Sequence, residues 1–188
     1  MDQGKGAVIS YNIIIVYFIR MQKYKVGFLI GRFQPFHKGH LYLIKKSFQY
    51  VKTMIIGVGS VGKVDKDNFL TFQQRKKTLE MVIEKEGWKD KVSKIVPVKD
   101  FNNDKLWLKH CLEVAGKIDV VIGNNEWTNG IFERAGYPVL RVGFYKRDLY
   151  EGVKIRKQIA QGRDWKDKVP SYLVEFIQVE RNKLTNYK

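Results

Sequence analysis

Five short apolar runs recur along the chain, separated by longer segments of mixed polarity. The runs are Val26–Ile30, Met54–Val58, Val92–Val98, Val120–Ile122 and Val139–Val142. Each has the length of a strand, and continuous apolar character is typical of strands buried on both faces of a sheet. We therefore predict an α/β fold in which five parallel strands form a doubly wound sheet with helices on both faces.

The segments between the runs show helical periodicity. In the first, apolar residues recur at three- and four-residue steps at positions Leu41, Ile44, Phe48 and Val51. Glycines of the kind that end helices follow the next three predicted helices at Gly87, Gly116 and Gly136. Two C-terminal helices are predicted after these, one closed by Gly162 and the last opened by Pro170. The order of elements is that of a Rossmann-like fold.

Residues 1–20 differ from the rest of the chain. Their strongly apolar part, Ala7–Ile19, is shorter than the roughly 18–20 residues that a membrane-spanning helix needs. Asp2 and the bulky end of the segment fit poorly with a signal peptide. We predict an N-terminal apolar extension at 1–20 that adds a strand or packs apolar surface, followed by one domain at 21–188. Membrane anchoring is the weaker alternative.

The chain is strongly basic, with 35 lysines and arginines against 19 aspartates and glutamates. Such a charge attracts nucleic acid, but small polyanionic substrates are attracted equally. Because the basic residues are spread along the whole chain, a solvated surface is favoured and nucleic acid is a minority alternative. The single cysteine, Cys111, excludes a disulfide framework and is expected to be a small buried hydrophobe. We expect a cytoplasmic protein without a membrane partner.

Ten residues, from Gly31 to His40, connect the first predicted strand to the first predicted helix. Gly31 allows backbone to approach a ligand, and the ring of Pro35 restricts the residue before it to an extended conformation. His37 and His40, at i and i+3, point the same way from the first helical turn. A strand–turn–helix junction offers backbone N–H groups and a positive helix end to an anion. We predict that a nucleotide triphosphate binds here, at the carboxyl end of the strand.

Three other interpretations of this segment are weighed against it. The histidines could bind zinc, although only His110 and Cys111 remain as further soft ligands. They could be structural histidines of the core. The segment could also be a Walker-type phosphate loop, but it lacks the Gly-Lys-Ser/Thr end.

The segment Gly31-Arg32-Phe33-Gln34-Pro35-Phe36-His37-Lys38-Gly39-His40 closely resembles the nucleotide-binding motif of the HxGH nucleotidyltransferases. In its full form it is most similar to that of archaeal-type nicotinamide-mononucleotide adenylyltransferases. The resemblance extends more loosely over about residues 25–182. The further matches are Gly57-Val58-Gly59-Ser60, Pro97-Val98-Lys99-Asp100, Trp107, Ile122-Gly123-Asn124, Arg156 and the Trp165…Val169-Pro170 spacing.

The resemblance implies a homo-oligomeric enzyme that transfers AMP from ATP to nicotinamide mononucleotide, with Mg²⁺ held mainly by the ATP phosphates. Its catalytic residues are expected to be His37, His40, Arg32 and Arg156. The expected ATP-binding positions are Gly31, Arg32, Phe33, Gln34, Pro35, Phe36, Gly39, Gly123, Asn124, Lys154 and Arg156. The expected positions for the second substrate are Asp100, Trp107 and Arg75.

The chain departs from the family pattern in three places. The late Ser-Gly-Thr-x-x-Arg motif is here Glu151-Gly152-Val153-Lys154-Ile155-Arg156, and Thr-x-x-Glu-Arg is here Thr71-Phe72-Gln73-Gln74-Arg75. Asn129 and Gly130 lie in a third divergent region. These changes leave open another phosphate acceptor, such as flavin mononucleotide or phosphopantetheine, or a non-catalytic nucleic-acid-binding protein.

Individual side chains also keep alternative interpretations. Trp107 could be a core or interface aromatic rather than a stacking platform. Arg75 and Arg156 could be surface salt-bridge partners.

Overall fold

The computed structural model describes residues 23–62, 64–65 and 68–185. Its strands are β1 (Tyr24–Gly31), β2 (Val51–Val58), β3 (Val92–Pro97), β4 (Val120–Ile122) and β5 (Val139–Leu140). Its α-helices are α1 (Lys38–Ser47), α2 (Phe72–Lys85), α3 (Asp104–Ala115), α4 (Glu126–Arg134), α5 (Gly152–Ala160) and α6 (Val174–Thr185). Two single 3₁₀ turns, Lys166–Lys168 and Ser171–Leu173, precede α6.

The strands form one sheet in the order β3-β2-β1-β4-β5, and every neighbouring pair is parallel. In the centre, Leu29 of β1 pairs with Ile56 of β2 on one side and with Ile122 of β4 on the other. The chain therefore winds outward from β1 in both directions. This confirms the predicted doubly wound α/β fold, and the order reverses between β1 and β4, where such sheets open a crevice.

Each face of the sheet carries its own core. Leu29 packs with residues of α1, α2, α5 and α6, whereas Phe28, its neighbour on β1, packs with residues of α3 and α4. Successive strand residues thus enter opposite cores, which explains why the central strands are apolar without alternation. Cys111 of α3 is fully buried in the second core, and burial raises the pKa of its thiol to about 12.

Several predicted boundaries are wrong. Val51 does not belong to the first helix, because α1 ends at Ser47 and Val51 opens β2, where it pairs with Tyr24. Val98 and Val142 lie beyond the ends of their strands.

The edge strands β3 and β5 are only partly buried, and Lys94 on β3 is exposed. An edge strand needs fewer apolar residues because it lacks a neighbour on one side.

The predictions for residues 1–20 concern a segment outside the described residues. In the described part of the chain, none of the helices is long and apolar enough to cross a bilayer.

Candidate active site

A cavity of about 530 Å³ opens at the carboxyl ends of the strands, beside the point where the strand order reverses. Each of the first four strands contributes to its wall through its last residues or the loop that follows. These residues are Gly31 and Arg32 at the end of β1, Gly59 and Ser60 after β2, Asp100 after β3, and Gly123 and Asn124 after β4. The cavity lies where the topology of a doubly wound sheet places ligands.

His37 and His40 line this cavity and hold each other through a reciprocal capping arrangement at the start of α1. The Nδ1 atom of His37 accepts a hydrogen bond from the backbone N–H of His40 at 3.3 Å, and the Nδ1 atom of His40 accepts from the backbone N–H of His37 at 3.2 Å. Their rings stack with centroids 3.6 Å apart. The two imidazoles thus satisfy backbone donors as the polar side chains of a capping box do.

This capping fixes the protonation of both rings. A nitrogen that accepts a hydrogen bond keeps its lone pair, so each neutral imidazole carries its hydrogen on Nε2. Burial, reinforced by the positive charge of Arg156, lowers the pKa of His37 to about 3. The pKa of His40 is also well below its usual value, first because of burial and then because of His37. At pH 7 both side chains are therefore neutral N–H donors.

The histidine geometry bears on the alternatives left open by the sequence. Both rings form part of the cavity wall, so they are not confined to the core. An Nε2 atom that carries hydrogen has no lone pair for a metal, and Nδ1 is occupied by the capping bond. The arrangement favours recognition of anionic oxygens over zinc ligation.

Gly39 permits the close approach of the loop that spans 143–150. A Cβ atom at position 39 would lie 3.0 Å from His37 Nδ1 and 3.2 Å from the Cβ of Tyr150. Tyr145 stacks between Tyr42 and Tyr150, with ring centroids 4.8 and 5.6 Å away. This loop adds Tyr145, Arg147 and Tyr150 to the cavity wall, and sequence reasoning identified it only as polar and basic.

Four predicted ATP-binding residues lie beneath the cavity and not in its wall. Phe33 and Phe36 are buried in the core, and Phe33 adopts the left-handed conformation with φ 51°. Gln34 is fixed by two hydrogen bonds with the backbone of Leu70, at 2.6 and 3.0 Å, and Pro35 follows it through a cis peptide bond. These side chains shape the loop that carries the histidines.

The motif at residues 151–156 contacts the backbone of the segment that carries the histidines. Arg156 is 7% exposed, and its Nη1 donates to the backbone oxygen of Gln34 at 3.2 Å. Lys154 forms ion pairs with Glu151 at 3.4 Å and with Asp148 at 3.9 Å. Neither Arg156 nor Lys154 belongs to the cavity wall, whereas Glu151 does. Burial of Arg156 contradicts its interpretation as a surface salt-bridge partner.

Arg75 occupies a position that neither sequence interpretation foresaw. It is fully buried, and it donates hydrogen bonds to the backbone oxygens of Arg32 (2.9 Å), Gly59 (2.6 Å), Ser60 (3.2 Å) and Thr71 (3.4 Å). Burial lowers the pKa of its guanidinium to about 10, so it stays charged at pH 7. Arg75 is not in the cavity wall. Both the predicted substrate contact and the surface salt bridge are corrected: Arg75 ties together the loops that follow β1 and β2.

The neighbouring substitution of glutamate by Gln74 has a structural explanation. Thr71 and Gln74 still form a capping box, since Thr71 Oγ accepts from the backbone of Gln74 at 3.3 Å and Gln74 Oε1 accepts from that of Thr71 at 2.7 Å. The Gln74 amide also donates a hydrogen bond to the carboxylate of Glu180 on α6. A glutamate at position 74 would repel Glu180, so this departure concerns packing of α6 against α2.

Two tryptophans and Asp100 mark another part of the cavity wall. Trp107 is 4% exposed and packs edge-to-face on Phe132, with centroids 5.9 Å apart. It therefore contributes to the core and to the cavity at once. Trp127, which the sequence analysis did not single out, lies 5.1 Å from Trp107 and is 54% exposed. The side chain of Asp100 accepts from the Ser60 hydroxyl at 3.3 Å.

Asn124 joins the end of β4 to the 143–150 loop. Its side chain donates to the backbone oxygen of Gly143 at 2.8 Å and accepts from the backbone N–H of the same residue at 3.1 Å. Asn124 and Gly123 lie in the cavity wall, as their predicted role in ATP binding requires.

The buried neutral histidines give the protein a specific pH dependence. Unfolding returns the pKa of His37 from about 3 to its ordinary value of 6.5. Between these values the unfolded chain binds a proton that the folded protein does not. The free energy of unfolding therefore falls as the pH drops through this range, by up to about 1.4 kcal/mol per pH unit for each such histidine.

Urea denaturation at pH 7 and pH 5 measures this loss of stability. His37→Asn does not titrate there, and we expect it to lose less stability over the interval than the unsubstituted protein. An equal loss would contradict the assignment of a buried neutral imidazole at position 37.

Known proteins with similar sequences are nucleotidyltransferases, which agrees with a cavity suited to phosphate groups. Residues 28–158 match the family described as cytidylyltransferase-like. The chain is 33% identical over 156 residues to the nicotinamide-nucleotide adenylyltransferase of Archaeoglobus fulgidus, covering 81% of this chain and 90% of the relative. It is 35% identical over 157 residues to the enzyme of that name from Thermoplasma acidophilum, covering 83% and 87%.

A solved structure shows the same architecture. It is a bifunctional NMN adenylyltransferase/ADP ribose pyrophosphatase from Francisella tularensis, with a TM-score of 0.68 and 27% sequence identity. The match covers 78% of this chain but 45% of the bifunctional one, so the chain spans less than half the length of that protein. A second structure of that protein is a complex with AMP and a manganese ion. The match over residues 28–158 and the archaeal relatives show that this chain belongs to the cytidylyltransferase-like family of nucleotidyltransferases.

Proposed function

We propose that the protein transfers AMP from ATP to the 5′-phosphate of nicotinamide mononucleotide and so forms NAD and pyrophosphate. The observation that carries the proposal is the pair of neutral histidines in the wall of a cavity that also holds Arg32, Trp107 and Trp127. The names of the archaeal relatives support this activity over that of other members of the family.

The reaction makes particular demands on the protein. The 5′-phosphate of the acceptor is already an anion at pH 7, so its attack on the α-phosphorus of ATP needs no strong general base. The protein has to align two polyanions that repel each other and stabilise the charge that develops in the transition state. Fixed donors suit that task because they need no rearrangement during the reaction.

His37 and His40 act as such donors. Each Nε2–H group binds a phosphate oxygen, and the capping bonds at Nδ1 hold the rings in place. Since the rings are neutral, they bind anionic oxygens without being able to give up a proton easily. Arg32 and Arg147 add positive charge at the cavity wall, and the N-terminus of α1 adds the favourable end of its dipole.

The cavity also suits a magnesium ion bound to the nucleotide. Mg²⁺ is usually held by substrate phosphates together with one or two carboxylates, and Asp100 and Glu151 both belong to the cavity wall. Among the described residues, no three histidine, cysteine, aspartate or glutamate side chains converge on one point. When bound, the ion offsets phosphate charge and orients the pyrophosphate leaving group.

The tryptophan pair favours a planar ring in the acceptor. Trp127 exposes its indole beside Trp107, and stacked or edge-on aromatic contacts contribute beyond simple burial. Phosphopantetheine has no such ring, so nicotinamide mononucleotide fits the wall better.

We also propose that residues 21–188 form a single catalytic domain and that the protein is a cytoplasmic homo-oligomer. Light scattering of the full chain would measure the mass of the oligomer.

Pyrophosphate release with ATP, Mg²⁺ and a panel of acceptors tests the proposed reaction. We expect NAD, identified by mass, with nicotinamide mononucleotide, and no product with flavin mononucleotide or phosphopantetheine. A product with one of the other acceptors alone would reassign the substrate. No product with any acceptor, together with binding to nucleic acid that weakens steeply with salt, would favour the nucleic-acid alternative.

A further inference from the structure

Asn129 is a polar residue of α4 that has no part in holding the phosphates or the metal ion. Its side chain is fully buried, yet the residue forms part of the cavity wall together with Trp107 and Trp127. The sequence singled it out only because the region departs from the family pattern.

The hydrogen bonds of the amide fix its orientation. Asn129 Nδ2 donates to the backbone oxygen of Gly123 at 3.2 Å and to a carboxylate oxygen of Glu126 at 3.3 Å. Both partners are acceptors, so the nitrogen has to face them and the oxygen has to face away. A Cβ atom at position 123 would lie 3.3 Å from Asn129 Oδ1, so the glycine leaves that atom room.

Asn129 Oδ1 has no hydrogen-bond donor among the residues that the structure describes, although it is buried. A buried acceptor without a partner costs about 1–3 kcal/mol. Such a group in the wall of a binding cavity is satisfied when a ligand brings a donor to it. The ligand that fits is one with an N–H or O–H group at the aromatic end of the cavity.

We propose that Asn129 Oδ1 accepts a hydrogen bond from the carboxamide of the nicotinamide ring, and that this contact makes the enzyme prefer the amide pyridine nucleotide to the acid one. The inference rests on the proposed adenylyl transfer and specifies its acceptor. A carboxamide offers two N–H donors, whereas the carboxylate of the nicotinic acid form offers none at pH 7. That carboxylate would bring negative charge to an acceptor oxygen.

The test compares kcat/KM for the amide and the acid mononucleotides in the unsubstituted protein, Asn129→Ala and Asn129→Asp. We expect the unsubstituted protein to prefer the amide form by about tenfold or more, since a site built for a donor discriminates against an analogue without one. Asn129→Ala should lose most of this preference through a higher KM for the amide form. Asn129→Asp keeps an acceptor at the place of Oδ1 but turns a second oxygen towards the backbone oxygen of Gly123 and towards Glu126, so it should weaken binding of both forms and reject the acid form still more strongly.

Glu126→Gln is the matched control, because it changes a partner of Asn129 Nδ2 and leaves Oδ1 in place. We expect its preference to stay within about twofold of the unsubstituted protein. Quenching of tryptophan fluorescence gives the dissociation constants of both nucleotides independently of turnover. An unchanged preference in Asn129→Ala, equal use of both forms by the unsubstituted protein, or an equal loss in Glu126→Gln would overturn the inference. Absence of dinucleotide product with either form would instead refute the proposed function.

Discussion

Replacing His40 by alanine is expected to lower kcat by about 10²–10³-fold, the loss typical of removing one fixed donor to a developing oxyanion. The expected cause is the missing Nε2–H group. Alanine also removes the Nδ1 acceptor of the His37 backbone N–H and the ring that stacks on His37. A loss of activity in this variant alone would therefore mix chemistry with a disturbed capping arrangement.

His40→Asn and His40→Gln separate the two effects. The asparagine oxygen can occupy the place of Nδ1 and keep the capping bond, but it supplies no donor where Nε2 lies. Glutamine places its amide nearer to Nε2. We expect kcat to fall almost as far in His40→Asn as in His40→Ala, and to recover partly in His40→Gln. The melting temperature should be higher in His40→Asn, which keeps the capping bond, than in His40→Ala, which loses it.

His110→Ala provides the control for these variants, because His110 lies on α3 outside the cavity wall. Its kcat should stay within a few-fold of the unsubstituted value. A similar kcat in His40→Asn and the unsubstituted protein would show that the His40 ring serves the loop and not the reaction.

The fold was predictable from the sequence where burial is strongest. Strands β1, β2 and β4 are covered on both faces along Val26–Ile30, Met54–Val58 and Val120–Ile122, so these runs contain no charged residue and separate clearly from the helices. Val51 was misplaced because it continues a three-residue step from Phe48, and the turn between α1 and β2 contains neither glycine nor proline. Periodicity alone cannot separate such a turn from one more turn of helix.

The site was predictable where its residues are close in sequence. The segment from Gly31 to His40 led directly to the histidines, but its pattern could not distinguish residues of the wall from residues beneath it. Trp127 was missed, and Asn129 was noted only as a departure from the family pattern, because their place in the site depends on the packing of α4 beside the end of β4. Only the tertiary structure brings them to the cavity.

Arg75→Met is expected to destabilise the protein by about 3–5 kcal/mol, the range for losing one partner of a buried charged interaction. The arginine donates to four backbone oxygens, and three of them belong to the loops after β1 and β2: those of Arg32, Gly59 and Ser60. Methionine has a similar length but no donor, so all four oxygens would lose the arginine and the buried oxygen of Gly59 would incur the largest penalty. Urea denaturation at pH 7 measures the change.

The same substitution should affect catalysis through the position of those loops. Because Arg32 and Gly59 lie in the cavity wall, we expect KM for ATP to rise together with the loss of stability. Arg75→Lys keeps the charge but replaces the planar donor fork, and should recover only part of both losses. Arg134→Met is the control, since Arg134 is exposed and forms a surface ion pair with Asp104 at 3.2 Å. A change within about 0.5 kcal/mol is expected for it. If Arg75→Met unfolded at the same urea concentration as Arg134→Met, the buried arginine would not hold the two loops together.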